Sequence, residues 1–436
     1  MIDFLATLDP ANGLAEDSCM LPPGPPDDLL WRALVRLAAG RDRAERDDQA
    51  LTPRVVGAYG HTRMDALVRG AGEAVERFAL FPQDGGVPGQ VRGTAAGLGA
   101  RALDFAAPGL GLGDPAAGCR TLTWYPARRL ADGSELLVPA GLVDYPAPAE
   151  EAEGFDPGPS GAASGQGYDM ALRSALLELV ERDALLVAWE RKLRPRRIDL
   201  AALTAGGVPR GKENTLRRGL LRLWDAALRA GLEPVLADLP TGIPGVACTV
   251  AVVLDRTGPQ PLATMGCNAT DRVDWSMLGA LQEALQVRSA VVNQRESHGY
   301  GAAPATIVDD DDRLRYVASR ECFAWVEEWT GGFRSPRPPR ESRAVPTSEL
   351  LAGMLADGAD PIAVDLTHRL PLGLREMGWA AVKVVPVGYQ PLRLAEDHRF
   401  SWNTGRLRTA EARTGLPGLL PADAEPAVER RPHPLP

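Results

Sequence analysis

One segment occurs three times along the chain, and its spacing restricts the architecture more than any other feature. It reads ALVRGAGEAVERFAL from Ala66, ALRSALLELVERDALLVAW from Ala171 and MLGALQEALQVRSAVV from Met277. Small and aliphatic residues recur three and four positions apart in each copy, with no proline inside, which predicts a helix. Each copy carries a polar pair on one face: Glu73 with Glu76, Glu178 with Glu181, and Glu283 with Gln286. Successive first members lie 105 residues apart. A solenoid repeats every 20–50 residues or so, so this spacing implies three large units that each deliver one helix to a common centre.

Solvated glutamates on an ordinary amphipathic helix would explain any one copy. Three copies favour a shared site. Apolar residues surround Glu178 and Glu181 on nearly the whole circumference of their helix, and an enclosed carboxylate must be neutralised by a proton, a basic partner or a metal. Repeated carboxylates and amides supply hard oxygen ligands, while arginine supplies a phosphate partner. Arg77, Arg182 and Arg288 follow the pairs by one or two residues. The residues therefore point to a site for a phosphate-bearing ligand with magnesium.

A chain of 436 residues can bury a large core and hold two or three lobes. With 57 acidic against 48 basic residues and a formal charge of -9, it offers no general basic surface, so no nucleic-acid partner is expected. The opening MIDFLATLDP lacks a basic leader, and no later stretch reaches membrane-spanning length without charge. No membrane association and a cytoplasmic location are the expectation. The five cysteines are scattered without a CxxC pair, which argues against structural zinc, and Cys267 is expected in the core. The five histidines form no metal motif.

Taken in order, LPPGPPDD predicts a turn and LLWRALVRLAAG a short helix ended by Gly40. The solvated run DRAERDDQ follows, so residues 1–50 are expected to form an extension. LTPRVVGAYGHTRMD feeds the first repeated helix through a glycine turn, without a phosphate-loop lysine. Residues 81–120 predict long loops. LTWYPARRLADGSELLVPAGLVDYP predicts a hairpin turning at Asp132 and Gly133, braced by Trp124 and Tyr125. SGAASG, from Ser160, predicts a small-residue loop that admits a ligand to the backbone, or else a tight crossing against a helix; Asp169 is the expected N-cap. LRRGLLRLWDAALRAGL predicts a surface helix ending at Gly231, and VACTVAVVLDRTGPQPLATMGCNATD predicts two strands about a turn. GGFRSPRPPRES reads as a flexible loop and AAVKVVPV as a strand. RRPHPLP is a stiff, extended tail, disordered or docking.

These segments together resemble the YcaO family, and more narrowly the azoline-forming cyclodehydratases that modify ribosomally made peptides. GAGEAVERF, SGAASG with ALLELVERDA, NATD with ALQEALQVR, VVPVGYQPL and the terminal PHPLP carry the resemblance, which spans roughly residues 50–436. It implies an α/β fold of the family's own type, with three related helix-bearing units around a site for ATP and Mg2+. By the same resemblance the domain runs over residues 51–436, including a proline-rich tail, 392–436, that reaches the active site. Glu73, Glu76, Glu178, Glu181 and Glu283 match the family's metal positions. The nucleotide positions comprise these residues with Ser160, Gln286, Arg77, Arg182 and Arg288, and Arg288 is the residue expected to meet the phosphates. His433 and the terminal carboxylate of Pro436 are the catalytic candidates, with the expectation that removing residues 433–436 spares folding and abolishes ring formation.

The implied reaction is ATP-dependent cyclodehydration of cysteine, and of serine or threonine, in a precursor peptide. Relatives that install thioamides or amidines, or that serve as silent scaffolds, share the framework. A separate leader-peptide-binding partner is expected, since the chain leaves no room for a large leader-binding domain, and an FMN-dependent azoline dehydrogenase is a further partner. A homodimer or a larger synthetase complex fits this reading. Two departures stand out: Gly70 occupies a position where serine is common, and GAYGHTR lacks the family's frequent lysine.

Overall fold

In the computed structural model the chain is described over residues 2–24, 28–38, 54–82, 87–107, 109–148, 150–204, 214–396, 398, 400–419 and 431–435. Three sheets form among these residues. The first is antiparallel and runs in the order β1 (Ala15–Leu21), β2 (Trp31–Leu37), β3 (Val55–Gly60). Strand β2 replaces the helix expected over LLWRALVRLAAG. Ala33, Val35 and Leu37 turn inward with period 2, and a central strand gains cross-strand bonds on both sides, which a single amphipathic helix lacks. Because β2 pairs with β3 from Trp31↔Gly60 to Arg36↔Val55, residues expected in an extension are part of the first unit. Gly40 and the run DRAERDDQ lie outside the described residues.

The second sheet contains β4 (Val91–Gly93), β5 (Leu122–Arg129), β6 (Glu135–Pro139), β7 (Ala162–Gln166), β13 (Ile362–Asp365) and β14 (Trp379–Val385), in the order β4-β5-β13-β14-β7 with β6 paired to β5. The β5–β6 hairpin turns at Asp132 and Gly133, as expected, and Gly133 takes the left-handed conformation that such a turn requires. Trp124 is fully buried, and its indole N–H reaches the Gly93 carbonyl at 2.8 Å. The third sheet runs β11 (Leu262–Thr270), β10 (Ala247–Asp255), β9 (Leu232–Leu239), β8 (Arg196–Ile198), β12 (Arg334–Arg337). Strand β12 occupies the segment expected to be a loop and pairs parallel to β8.

Helix α1 (Arg63–Leu80) packs on β2 and β3, and the Thr62 hydroxyl caps it by accepting the Asp65 N–H. Helix α2 (Tyr168–Glu190) crosses β7 and β14, α3 (Thr215–Arg229) ends just before left-handed Gly231, and α4 (Val273–His298) lies along β10 and β11. Helices α5 (Asp310–Val317) and α6 (Arg320–Gly331) complete the far side of the largest core. The three repeated segments are thus α1, α2 and α4. No helix among the described residues is long and apolar enough to cross a membrane.

Candidate active site

Edge strand β7 sets the geometry. The loop expected over SGAASG is instead the start of this strand, held between α1 on one face and α2 on the other. Its small residues serve that crossing: a Cβ on Gly165 would sit 2.7 Å from the Ala171 nitrogen of α2, and one on Gly161 would strike the Val384 carbonyl. On the opposite face the Ser164 hydroxyl donates to the Gly72 carbonyl of α1 at 2.7 Å. Gly167 precedes α2 without a side-chain cap, so Asp169 lies in the first turn instead of capping it, where its charge suits the helix dipole. Gly70 has a packing explanation too, since a Cβ there would meet the Ala33 methyl at 2.7 Å. Serine at that position would push α1 off β2.

Beyond the start of β7, the two helices bring Glu73, Glu76 and Arg77 towards Glu178. Lys383 joins them from β14, where it pairs with Ala162, the first residue of β7. Its ammonium donates to the carbonyls of Gly158 and Ser160, both at 2.6 Å. Ser160 therefore contributes its backbone oxygen to the site by holding the lysine. Burial drives the Lys383 pKa down to about 8, against the opposing pull of Glu178 and Glu76. Arg77 spans Glu73 at 3.4 Å and lies over the Tyr145 ring.

The third wall is built on β11. Its outer edge presents the amides of Cys267 and Ala269, which donate to Glu283 at 2.6 Å and to Glu181 at 3.0 Å. Buried edge amides need acceptors, and here two helices supply carboxylates. The second oxygens of both glutamates face Arg182, at 3.5 Å for Glu181 and 3.7 Å for Glu283; Glu178 lies 3.6 Å from the same guanidinium. Arg182 thereby joins α2 to α4.

Five carboxylates in this group face three cations, an excess of two negative charges. The excess is visible in the acid strengths. Burial, with Glu73 and Glu178 adding repulsion, raises the Glu76 pKa well above the usual range. Burial raises Glu178 as well, although Arg182 and Lys383 oppose it. Glu181 is pushed up to about 8 by burial and by Glu283, partly offset by Arg182. A divalent cation fits an excess of two charges, and the buried Nε–H of Arg77, which has no hydrogen-bond acceptor among the described residues, fits an anionic ligand. Among the described residues no three His, Cys, Asp or Glu side chains converge tightly enough to hold a metal unaided. Mg2+ commonly takes one or two carboxylates and completes its shell with phosphate and water, so the donor set fits a metal that arrives with its nucleotide.

Three expected residues are placed elsewhere. Gln286 donates to the Gly57 carbonyl of β3 and ties α4 to the first unit. Its neighbour Gln282 adds to that junction, donating to Asp65 at 2.6 Å beside His61. Arg288 pairs in a buried site with Asp255 at 2.8 Å, apart from the carboxylate group. His433 is buried with Arg313, Arg393 and Glu396, and its Nε2 lies 2.5 Å from the Arg393 carbonyl. Pro436 lies outside the described residues.

Lys383 is the residue that sequence reasoning missed. A single charge inside the apolar run AAVKVVPV was the available signal, because a buried lysine demands partners. Replacing it with methionine would leave two part-buried carbonyls without this donor, at a cost of about 1–3 kcal/mol each at most. Lys383→Met is expected to lower the urea midpoint, while Lys383→Arg recovers part of the loss. Equal urea midpoints for Lys383→Met and wild type would remove the lysine from this role.

A family model described as "YcaO cyclodehydratase, ATP-ad Mg2+-binding" matches residues 57–388. An uncharacterised Rhizobium leguminosarum bv. trifolii protein, named for its place in the tfuA 3' region, is 30% identical over 294 residues, covering 63% of this chain and 62% of its own. The chain spans less than two thirds of the length of the curated relatives it matches. Among solved structures, a heterocyclase in complex with substrate and cofactor superposes with a TM-score of 0.70 at 17% identity, covering 94% of this chain and 54% of that one. The YcaO protein of Methanopyrus kandleri, bound with AMPPCP and Mg2+, gives 0.57 at 20% identity, with 89% and 92% covered.

Proposed function

This chain belongs to the YcaO family, and from that premise we propose that it is an ATP-dependent peptide cyclodehydratase. A cysteine thiol of a precursor peptide, or a serine or threonine hydroxyl, adds to the preceding backbone carbonyl. The oxyanion so formed takes the terminal phosphoryl group of ATP, releasing ADP, and phosphate then leaves as the ring nitrogen gives up its proton to solvent and the C=N bond of the azoline forms. An amide oxygen is a poor leaving group until it carries phosphate. The observation that supports this reading is the convergence of α1, α2 and α4 on five carboxylates, three of them bridged by Arg182, with Arg77 and Lys383 beside them.

Glu76 and Glu178, which have no backbone amide partner among the described residues, are the residues assigned to hold Mg2+, with Glu73 at the rim. When bound, the metal neutralises charge on the transferring phosphoryl group. Glu181 and Glu283 are fixed by β11 and orient Arg182, whose guanidinium, together with Arg77, would offset phosphate charge when nucleotide binds. A precursor peptide, a separate leader-binding protein and an FMN-dependent dehydrogenase are the partners that this activity calls for. Incubation with the precursor, the leader-binding protein and magnesium ATP tests the reading. Mass spectrometry should show the loss of one water per ring, matched by phosphate release. A gain of mass from sulfur replacing oxygen would assign thioamide formation instead, and ATP consumption independent of peptide would overturn the proposal.

Proton linkage gives a second test. Glu181 has an ordinary pKa of 4.5 and sits near 8 in the fold, so the metal-free protein retains protons that the unfolded chain has lost. The Glu181 contribution to stability should fall as pH rises through that interval and level off above it. Magnesium nucleotide binding needs Glu76 and Glu178 ionised, and burial raises both, so it should release protons and tighten as pH rises. Calorimetry in two buffers of different ionisation enthalpy reads the proton count directly; a count of zero would contradict the assignment.

A further inference from the structure

Away from the carboxylate group, a cleft of about 500 Å3 opens across β8, β9, β10 and β12. Five arginines line it: Arg196, Arg197, Arg334, Arg337 and Arg340. Asp238 is the one acidic residue among the described lining residues, and Arg340 takes it. Arg196 and Arg334 are directly opposite in the parallel pairing of β8 with β12, and like charges so placed repel. Arg196 spends one amino group on the carbonyl and hydroxyl of Ser335, and Arg197 donates to the Thr330 carbonyl. Neither bond neutralises charge. Arg334 and Arg337 make no ion pair among the described residues. The repulsion is felt at Arg196, whose guanidinium loses proton affinity first to burial and then to Arg334 and Arg337.

We propose that this cleft is a docking site for an acidic polypeptide segment, held by Arg196, Arg334 and Arg337. Concentrated positive charge on a molecule of net charge -9 is a local device. It attracts a short anionic stretch, while the rest of the surface repels an extended polyanion such as nucleic acid. The walls between the arginines include Ile198, Pro338, Pro339 and Leu416, which offer apolar contact to a polypeptide chain. Arginine favours carboxylate by bidentate bonding, and those donors need little reorganisation here because the strands fix their bases. The site is separate from the carboxylate group, and the proposal does not depend on the activity assigned there.

Fluorescence anisotropy with a labelled peptide of alternating glutamate and glycine provides the test, using the full chain. Binding should weaken as salt rises. The triple variant R196Q/R334Q/R337Q should weaken it about tenfold or more, in keeping with the loss of three surface ion pairs. R337Q alone, at an exposed position, should reduce affinity without altering the fold, and the triple lysine variant should restore much of it. A peptide with glutamine in place of glutamate should not bind. Failure of the acidic peptide to bind, equal binding by wild type and both glutamine variants, or tighter binding of a single-stranded oligonucleotide of matched charge would each overturn the proposal.

Discussion

Arg182→Met is expected to destabilise the protein by about 3–5 kcal/mol, because it leaves several enclosed carboxylates facing one another without their bridging cation. The loss should depend on pH in a defined direction. At low pH, Glu178 and Glu181, both raised by burial, can each take a proton, and Glu181 is already poised near 8. Raising the pH strips those protons and exposes the full repulsion. Urea unfolding at about pH 6 and about pH 8.5 should therefore show a larger deficit at the higher value. Glu181→Gln in the same chain should recover part of the loss, since a glutamine oxygen can still accept the Ala269 amide while removing one charge. The double-mutant cycle isolates the pair. A deficit of the same size at both pH values would show that Arg182 acts by packing rather than by charge.

The register of these arginines explains which parts of the site were legible in the sequence. Arg77 and Arg182 each stand four residues beyond the first glutamate of their pair, and four residues bring side chains onto one helical face. Both ion pairs are present. Arg288 stands five beyond Glu283, and the extra residue rotates it by about 100° on the helix, which turns it onto Asp255. The position equivalent to Arg77 and Arg182 is Val287, so the third wall supplies no cation. Spacing along a helix could have shown this.

Other parts were hidden by ambiguity of period or by distance in sequence. Trp31–Leu37 satisfies both a helical stripe and strand alternation, and only the presence of β1 and β3 on either side decides between them. The small residues of β7 report how closely α1 and α2 approach, a tertiary fact that composition cannot distinguish from a ligand loop. The anchoring of Glu181 and Glu283 to one strand edge links residues 88 and 16 positions from their amide donors. Pattern reasoning finds the carboxylates, and the fold determines which are left for a metal.

Deletion of residues 433–436 is expected to destabilise the fold as well as to abolish turnover, which corrects the expectation that folding would be spared. The described end of the tail is part of the core. Leu435 is 3% exposed within the largest apolar cluster, and shortening a buried leucine to alanine alone costs about 2–5 kcal/mol. His433 supplies its carbonyl to Arg313 at 3.0 Å and its N–H to Glu396. Burial and Arg313 keep its imidazole neutral by lowering its pKa, and Nδ1 has no hydrogen-bond partner among the described residues. These features describe an anchor. The Trp189 indole donates to the Arg431 carbonyl, eleven residues beyond Glu178, and at helical rise that is roughly 16 Å along α2. The route to the site passes through Glu396 and Arg393, then through Asp156, which accepts the amides of Leu394 and Ala395. Asp156 borders a small cavity with Gly158, Ser160 and Lys383. Releasing the tail should therefore loosen the loop whose carbonyls hold Lys383. Leu435→Ala should lower the urea midpoint. His433→Ala, assayed under conditions where it is fully folded, should retain magnesium nucleotide binding and turn over slowly, with no shift in its pH profile. A shifted pH profile would instead make His433 a proton carrier.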